Sequence, residues 1–202
     1  MIEDALNLLL TRRTVPLAFL GGPGPSDEQV ETLLTAAMRV PDHGKLAPWR
    51  YVALDEVALA QVAQELRTIR LTEMPDAETE KLDKQLDAFV KAPLCLVVVG
   101  MAREHPKIPM WEQQLSIGAS TMNLMLAAHA LGFSAQWLTG WMCDSSGAKN
   151  LLGIGSDETI AGFIHIGTPT APVVERPRPS LDDHLVRWTP DTSRIAAAKD
   201  IG

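Results

Sequence analysis

The 202-residue sequence predicts an α+β fold, with helices flanking a small, central mixed β-sheet. Two observations carry that prediction. Segments with apolar residues at helical spacing alternate along the chain with apolar runs too short to be helices. One of those runs, Leu94–Gly100, reads Leu-Cys-Leu-Val-Val-Val-Gly, as a strand buried on both faces must. Hydrophobic residues make up 46% and charged residues 21%, a globular balance. No break in composition marks a second domain, so residues 1–202 read as a single domain with an extended, Pro- and Arg-containing tail from about residue 170.

Residues 2–10 place Ile2, Ala5, Leu6, Leu9 and Leu10 on one helical face, and Pro16 blocks continuation. Gly21–Pro25 reads as a loop. Ser26 followed by Gln29 is a capping box for a second helix, which buries Leu33, Leu34, Ala37 and Met38 and ends near Arg39. Val40–Pro48 is rich in turn residues, Trp49–Leu54 predicts a strand, and Glu56–Leu71 and Glu78–Val90 predict helices. After the Leu94–Gly100 strand, Trp111–Leu131 forms the longest helix candidate. Beyond Ser116 that helix is apolar almost all round, so core or another subunit must cover it. Phe133–Leu138 predicts a short strand, Ser146–Leu152 a short helix and Glu158–Ile166 the last central strand. The prolines and arginines between Pro169 and Pro190 argue against any regular helix there.

Eighteen Lys and Arg against 25 Asp and Glu leave a net charge of −7, which argues against a general nucleic-acid binder. No apolar stretch is long enough to cross a membrane, and the acidic start, Met1-Ile2-Glu3-Asp4, is unlike a signal peptide. Two cysteines, Cys95 and Cys143, are too few for a disulfide framework or a Cys-rich metal site, so a cytoplasmic protein is expected. The dinucleotide fingerprint Gly-x-Gly-x-x-Gly, a P-loop, Gly-x-Ser-x-Gly and His-Glu-x-x-His are all absent. Asp182-Asp183-His184 reads as a solvated turn, and no metal site is expected.

Three polar segments remain. Arg12-Arg13-Thr14 ends the first helix. Its guanidinium forks and hydroxyl match phosphate oxygens, although arginines at a helix C-terminus also simply complement the dipole. Arg39 with Pro41-Asp42-His43-Gly44-Lys45 can wrap a polar, planar ligand, or be no more than a loop entering a strand. Gln136-Trp137-Leu138-Thr139-Gly140-Trp141 can contact a flat ligand, or place its two tryptophans in the core.

In their order and spacing these segments resemble the FMN-dependent nitroreductase family, its small NAD(P)H nitroreductase branch. The resemblance covers roughly Ala5 to Thr168. Its markers are Leu9–Thr14, Ala36–His43 leading to Pro48-Trp49, His105–Pro109 with Trp111-Glu112-Gln113, Ala130–Phe133 leading to Trp137, and Gly162–Ile164 leading to Gly167–Pro169. Ala47 stands where many members carry Gln. The resemblance implies a nitroreductase-like fold and an intertwined homodimer with two FMN molecules at the interface. It implies that Arg12, Arg13 and Thr14 meet the FMN phosphate and ribityl chain. Arg39, Asp42, His43 and Lys45 would hold the cofactor from a second loop, with Arg39 or Lys45 placing positive charge near flavin N1 and O2. Trp137, Leu138 and Thr139 would form a third contact, and Arg176 or Arg178 the C-terminal phosphate partner. Ala127, Ala128, His129, Ala130, Leu131 and Gly132 would lie near the nicotinamide of NADH or NADPH. The implied reaction is ping-pong, with hydride passing through flavin N5 to a nitroaromatic or quinone-like acceptor, and no side chain is assigned as catalytic. A non-catalytic flavin-binding homodimer, or another chemistry on the same fold such as dehalogenation or flavin fragmentation, stays open. For the latter, Thr72–Val90 is the one obvious substrate-covering lid.

Overall fold

The computed structural model describes residues 2–188, with Ile2 and Glu3 described in backbone only. Pro190 of the tail and the side chain of Ile2 therefore lie outside the described residues. Helix α1 (Ile2–Thr11) leads through a 3₁₀ turn (Leu17–Phe19) into the two-residue strand β1 (Leu20–Gly21). Helix α2 (Asp27–Ala37) starts at the expected capping box: Ser26 Oγ accepts from the Gln29 amide, and Gln29 Oε1 accepts from the Ser26 amide. Strand β2 (Trp49–Asp55) runs straight into α3 (Glu56–Glu73), capped by Asp55 Oδ1 on the Ala58 amide. Helix α4 (Thr79–Phe89), strand β3 (Leu94–Gly100), helix α5 (Met110–Ala130) and strand β4 (Ser134–Leu138) follow. Short helices α6 (Trp141–Asp144) and α7 (Ser146–Leu151), strand β5 (Thr159–Pro169) and a four-residue helix α8 (Leu181–His184) complete the order.

β3 sits between β2 and β5, while β1 and β4 also pair with β5. Every pairing among the described residues is antiparallel, which corrects the expected mixed sheet. The sequence signal behind that expectation, a wholly apolar strand, reports burial on both faces and carries no information on direction. β3 is buried along its entire length because helices cover both sides. Cys95, Val97 and Val99 face a core built with Leu59, Leu66, Leu86 and Phe89 of α3 and α4. Leu96 and Val98 face the opposite core, with Leu33 of α2, Leu124 and Met125 of α5 and Ile164 of β5. That alternation is the period-two geometry of a strand read out by two helical layers.

Within Thr72–Val90, Leu82, Leu86 and Phe89 anchor α4 in the core, while Thr72–Asp76 and Glu78–Lys81 are exposed. One expectation changes in the tail. The tail does hold one helical turn, α8, because Ser180 Oγ caps the Asp182 amide in a stretch between prolines.

Candidate functional site

The first polar segment lies where the end of α1 meets the last turn of α5 and the start of β4. A cavity of about 340 Å³ is lined there by Thr11, Arg12, Arg13, His129, Ser134 and Glu175, among others. Arg12 Nη1 is buried and has no hydrogen-bond partner among the described residues. Burial, followed by the charges of Arg178, Arg13 and Arg176, holds the Arg12 pKa below its ordinary value. Four guanidinium groups thus converge on one place, an arrangement that repels itself and attracts an anion. His129 hydrogen-bonds the Arg13 backbone, its Nε2 is another buried atom without a partner among the described residues, and burial together with Arg12 pushes its pKa down. Arg13 donates through Nε and Nη2 to the Val174 carbonyl, at 3.0 and 2.8 Å, which lays the tail across the site. Glu175 Oε1 lies 3.5 Å from Arg13 and 3.2 Å from Arg178. Thr14 is exposed and lines a neighbouring 220 Å³ cavity beside Pro16 and Phe19.

The second segment lies against the other end of α5. Asp42 is engaged within its own loop: its carboxylate accepts from the Leu46 and Ala47 amides, at 3.2 and 2.8 Å. That loop contains Gly44 at φ +73°, Lys45 at +56° and Ala47 at +45°, an unusual run of left-handed residues. Glycine suits position 44, because a Cβ there would meet both the left-handed φ and Ile108 Cδ1, which would have to shift. His43 Nδ1 contacts Glu112 Oε2 at 2.6 Å, and Ser116 Oγ donates to the Pro41 carbonyl at 2.9 Å. The cleft between loop and helix has a volume of about 300 Å³. Arg39 and Lys45 are exposed, and the Arg39 carbonyl accepts from Asn123 Nδ2.

The third segment divides by strand alternation. Trp137 is 37% exposed; its ring lies over Gly162, and its Nε1 donates to the Ala161 carbonyl at 2.9 Å. The register shift in the β3–β5 ladder places Ala161 between the paired residues, leaving that carbonyl available. Leu138 turns into the core, and Thr139 is exposed. Trp141 belongs to a different surface, under the Arg70 guanidinium at 5.0 Å. Within Ala127–Gly132, Ala128 is fully buried, Ala127 and Leu131 pack against the core, Ala130 and Gly132 are exposed, and His129 joins the arginine cluster.

The sequence markers thus separate into two clusters at opposite ends of α5. Glu112 and His129 mark them, roughly 25 Å apart at about 1.5 Å per residue. Sequence reasoning assigned no role to Glu112, Ser116 or Glu175. Glu112 lies inside a quoted marker, but its partner His43 is 69 positions away, and no local pattern reports that contact.

Comparison with known proteins bears on this arrangement. The profile of the Nitroreductase family matches residues 9–168. The Escherichia coli (strain K12) protein named "Putative NAD(P)H nitroreductase YdjA" is 33% identical over 166 residues, 82% of this chain and 88% of that protein. The Haemophilus influenzae "Putative NAD(P)H nitroreductase" is 36% identical over 168 residues, 82% of this chain and 88% of its own. Among solved structures, a nitroreductase-like family protein from Bacillus cereus superposes with a TM-score of 0.80 at 18% identity, covering 91% of this chain and 95% of that one. A Bacteroides fragilis nitroreductase with bound FMN superposes at 0.68 and 16% identity, covering 92% and 99%.

Proposed function

Because the chain belongs to the nitroreductase family, we propose that it is a cytoplasmic, FMN-dependent NAD(P)H oxidoreductase. Its acceptors would be flat and electron-poor, such as nitroaromatics or quinones, and its working form a homodimer. The observation that carries this reading is the unpartnered, buried Arg12 Nη1 inside a cluster of four arginines. Glu175 offsets only part of the cluster's charge and leaves Arg12 Nη1 without an acceptor; a phosphate monoester supplies both, so the residues fit FMN. The Bacteroides fragilis relative, described with bound FMN, points the same way.

Arg12 and Arg13 would hold the phosphate, with Thr14 on the ribityl side and Arg176 and Arg178 closing from the tail. Trp137 and Thr139 would meet the ring from β4. Arg39, His43 and Lys45 would serve a ring as well, yet the loop of His43 and Lys45 packs against the end of α5 opposite Arg12, with the Arg39 backbone held midway along the helix by Asn123. That separation exceeds the length of an extended FMN, so one chain does not wrap one cofactor with both clusters. A two-fold pairing solves the problem by bringing the loop of one chain to the arginines of the other. The surface supports such a pairing: Leu6, Leu9 and Leu10 of α1 and Trp111 and Leu115 of α5 are all more than half exposed. The half-buried Ala119, Met122 and Leu126 of α5 would be covered in the same step.

When bound, FMN supplies two-electron chemistry between nicotinamide and acceptor. The chain's own part is to bind the phosphate, present one face of the ring, place cationic groups beside it and exclude bulk water. An anaerobic absorbance experiment on protein reconstituted with FMN and desalted tests the proposal. Bands that bleach with NADH or NADPH and return with a quinone or nitroaromatic are the expected outcome. Retained bands that neither nicotinamide bleaches would leave a flavin binder, and loss of the flavin on desalting would overturn the cofactor assignment.

A further inference from the structure

The contact between His43 and Glu112 is needed neither by a phosphate site nor by an apolar subunit face. The loop that carries His43 is held in a costly shape. Lys45 and Ala47 are non-glycine residues in left-handed conformations, each costing on the order of 1 kcal/mol. The Asp42 carboxylate clamps that shape through the Leu46 and Ala47 amides, and Ile108 fills the space under Gly44. Ser116 ties the preceding Pro41 carbonyl to α5. These restraints aim the imidazole at the first turn of α5, where Glu112 Oε2 lies 2.6 Å from Nδ1.

An ionised carboxylate only accepts hydrogen bonds, so Nδ1 carries the hydrogen of this pair. Nε2 is then the ring atom that gains and loses a proton. In the cleft lined by Pro41, His43, Glu112, Leu115, Ser116 and Ala119, Ser116 Oγ is engaged by Pro41 and the carboxylate by His43. Among the described residues that leaves two uncommitted side-chain atoms in the cleft, Glu112 Oε1, which can only accept, and His43 Nε2, the one that can donate. The other ionisable groups nearby are spoken for or open to water. Asp42 is bound by its loop, His105 Nδ1 accepts from the Lys107 and Ile108 amides, and Lys45 and Lys107 are exposed.

We propose that Glu112 is a positioning residue that holds His43 with Nδ1 protonated, and that His43 Nε2 donates the proton needed to reduce the acceptor. This rests on the oxidoreductase reading above. Converting a quinone to a hydroquinone takes a hydride and one further proton. The hydride derives from NAD(P)H, which leaves as the oxidised nicotinamide. The proton leaves imidazolium Nε2, whose N–H bond breaks as the acceptor's O–H bond forms. Glu112 keeps the Nδ1 hydrogen bond throughout, and the neutral ring is recharged from solvent, to which its side chain is 63% exposed. A carboxylate orienting a proton-transferring histidine is a recurrent device.

The test has two readouts. In ¹⁵N-labelled protein, long-range imidazole spectra assign His43 by the signal lost in His43→Asn. At a pH where the ring is neutral, the native protein should show the Nδ1–H tautomer, and Glu112→Ala should shift it to the Nε2–H form. Glu112→Gln, whose amide oxygen can still accept from Nδ1, should retain the native tautomer. In rapid-mixing kinetics of the flavin-loaded enzyme, Glu112→Ala should slow the quinone half-reaction relative to the NAD(P)H half-reaction by about tenfold or more. A solvent deuterium effect should appear on the quinone half-reaction, and Glu112→Gln should recover most of the rate. An unchanged tautomer in Glu112→Ala overturns the positioning role. Equal slowing of both half-reactions, or a quinone step indifferent to His43→Asn, overturns the proton-donor role. Failure to retain flavin removes the oxidoreductase reading and the proton-donor role with it, while the tautomer spectra still decide what Glu112 does.

Discussion

Replacing Arg12 with Gln should weaken FMN binding about thirtyfold and leave riboflavin binding unchanged. Arg12 Nη1 is the buried donor without a partner, so the substitution removes one charge-assisted hydrogen bond to a phosphate oxygen. Such a bond contributes about 1.5–3 kcal/mol, and 2 kcal/mol is about a thirtyfold change in Kd. Arg13, Arg176 and Arg178 remain, which limits the loss to that order. Riboflavin lacks the phosphate and so reports on the ring alone. The free protein should respond in the opposite sense. Burial and the neighbouring arginines disfavour the charged Arg12, so removing its charge should leave the flavin-free Tm unchanged or higher. Flavin-fluorescence titrations with both ligands, alongside thermal melts of the flavin-free protein, measure these quantities. Equal losses for FMN and riboflavin, or a clear drop in the flavin-free Tm, would refute the phosphate assignment.

Three further predictions address the scaffold. Glu158 is held at about 2 by hydrogen bonds from Arg50 (2.8 and 2.6 Å) and by the Gly155 amide, against an ordinary value of 4.5. A carboxyl pKa lowered by folding stabilises above pH 4.5 and loses that contribution as pH falls toward 2. With Arg50 one-third exposed, Glu158→Gln should cost about 1–2 kcal/mol at pH 7, with a difference from the native protein that closes through that window; parallel urea stabilities from pH 7 to 3 would contradict it. Gly44→Ala meets both a φ of +73° and Ile108, so Tm should fall by roughly 3–10 °C, and an unchanged melt would show that the loop is free to relax. Leu115→Glu places a charge on the exposed apolar face of α5, and sedimentation should show monomers that no longer retain FMN; a persistent dimer with normal flavin content would move the interface elsewhere.

Local signals proved legible and distant ones did not. The Ser26 capping box, the wholly apolar β3 and the long α5 all report neighbours within a few residues, and each forms where its pattern lies. Strand direction depends on crossovers of tens of residues, so the antiparallel sheet carried no sequence signature. The brief α6 turn and the two-residue β1 are too short for periodicity to register. Of the site, Arg12 and Arg13 were readable as guanidinium groups at a helix end. That His129 joins them, or that Glu175 reaches over them from the tail, follows from α5 and the tail crossing α1 in space. Ala128 lies within a candidate ligand stretch yet is buried, because every third or fourth residue of that helix faces the sheet.

The placement of the two clusters at opposite ends of α5 has a genetic consequence. If each flavin is served by the arginines of one chain and the His43 loop of another, a defect at either end damages both sites of a pure mutant dimer. Two such defects, carried on different alleles, need not both be fatal. In a cell expressing an Arg12 variant together with a His43-loop variant, a mixed dimer joins the sound arginines of one product to the sound loop of the other. Random pairing of equal amounts would restore about a quarter of all sites. Two alleles each inactive alone would then complement, whereas two alleles altered at the same end would not.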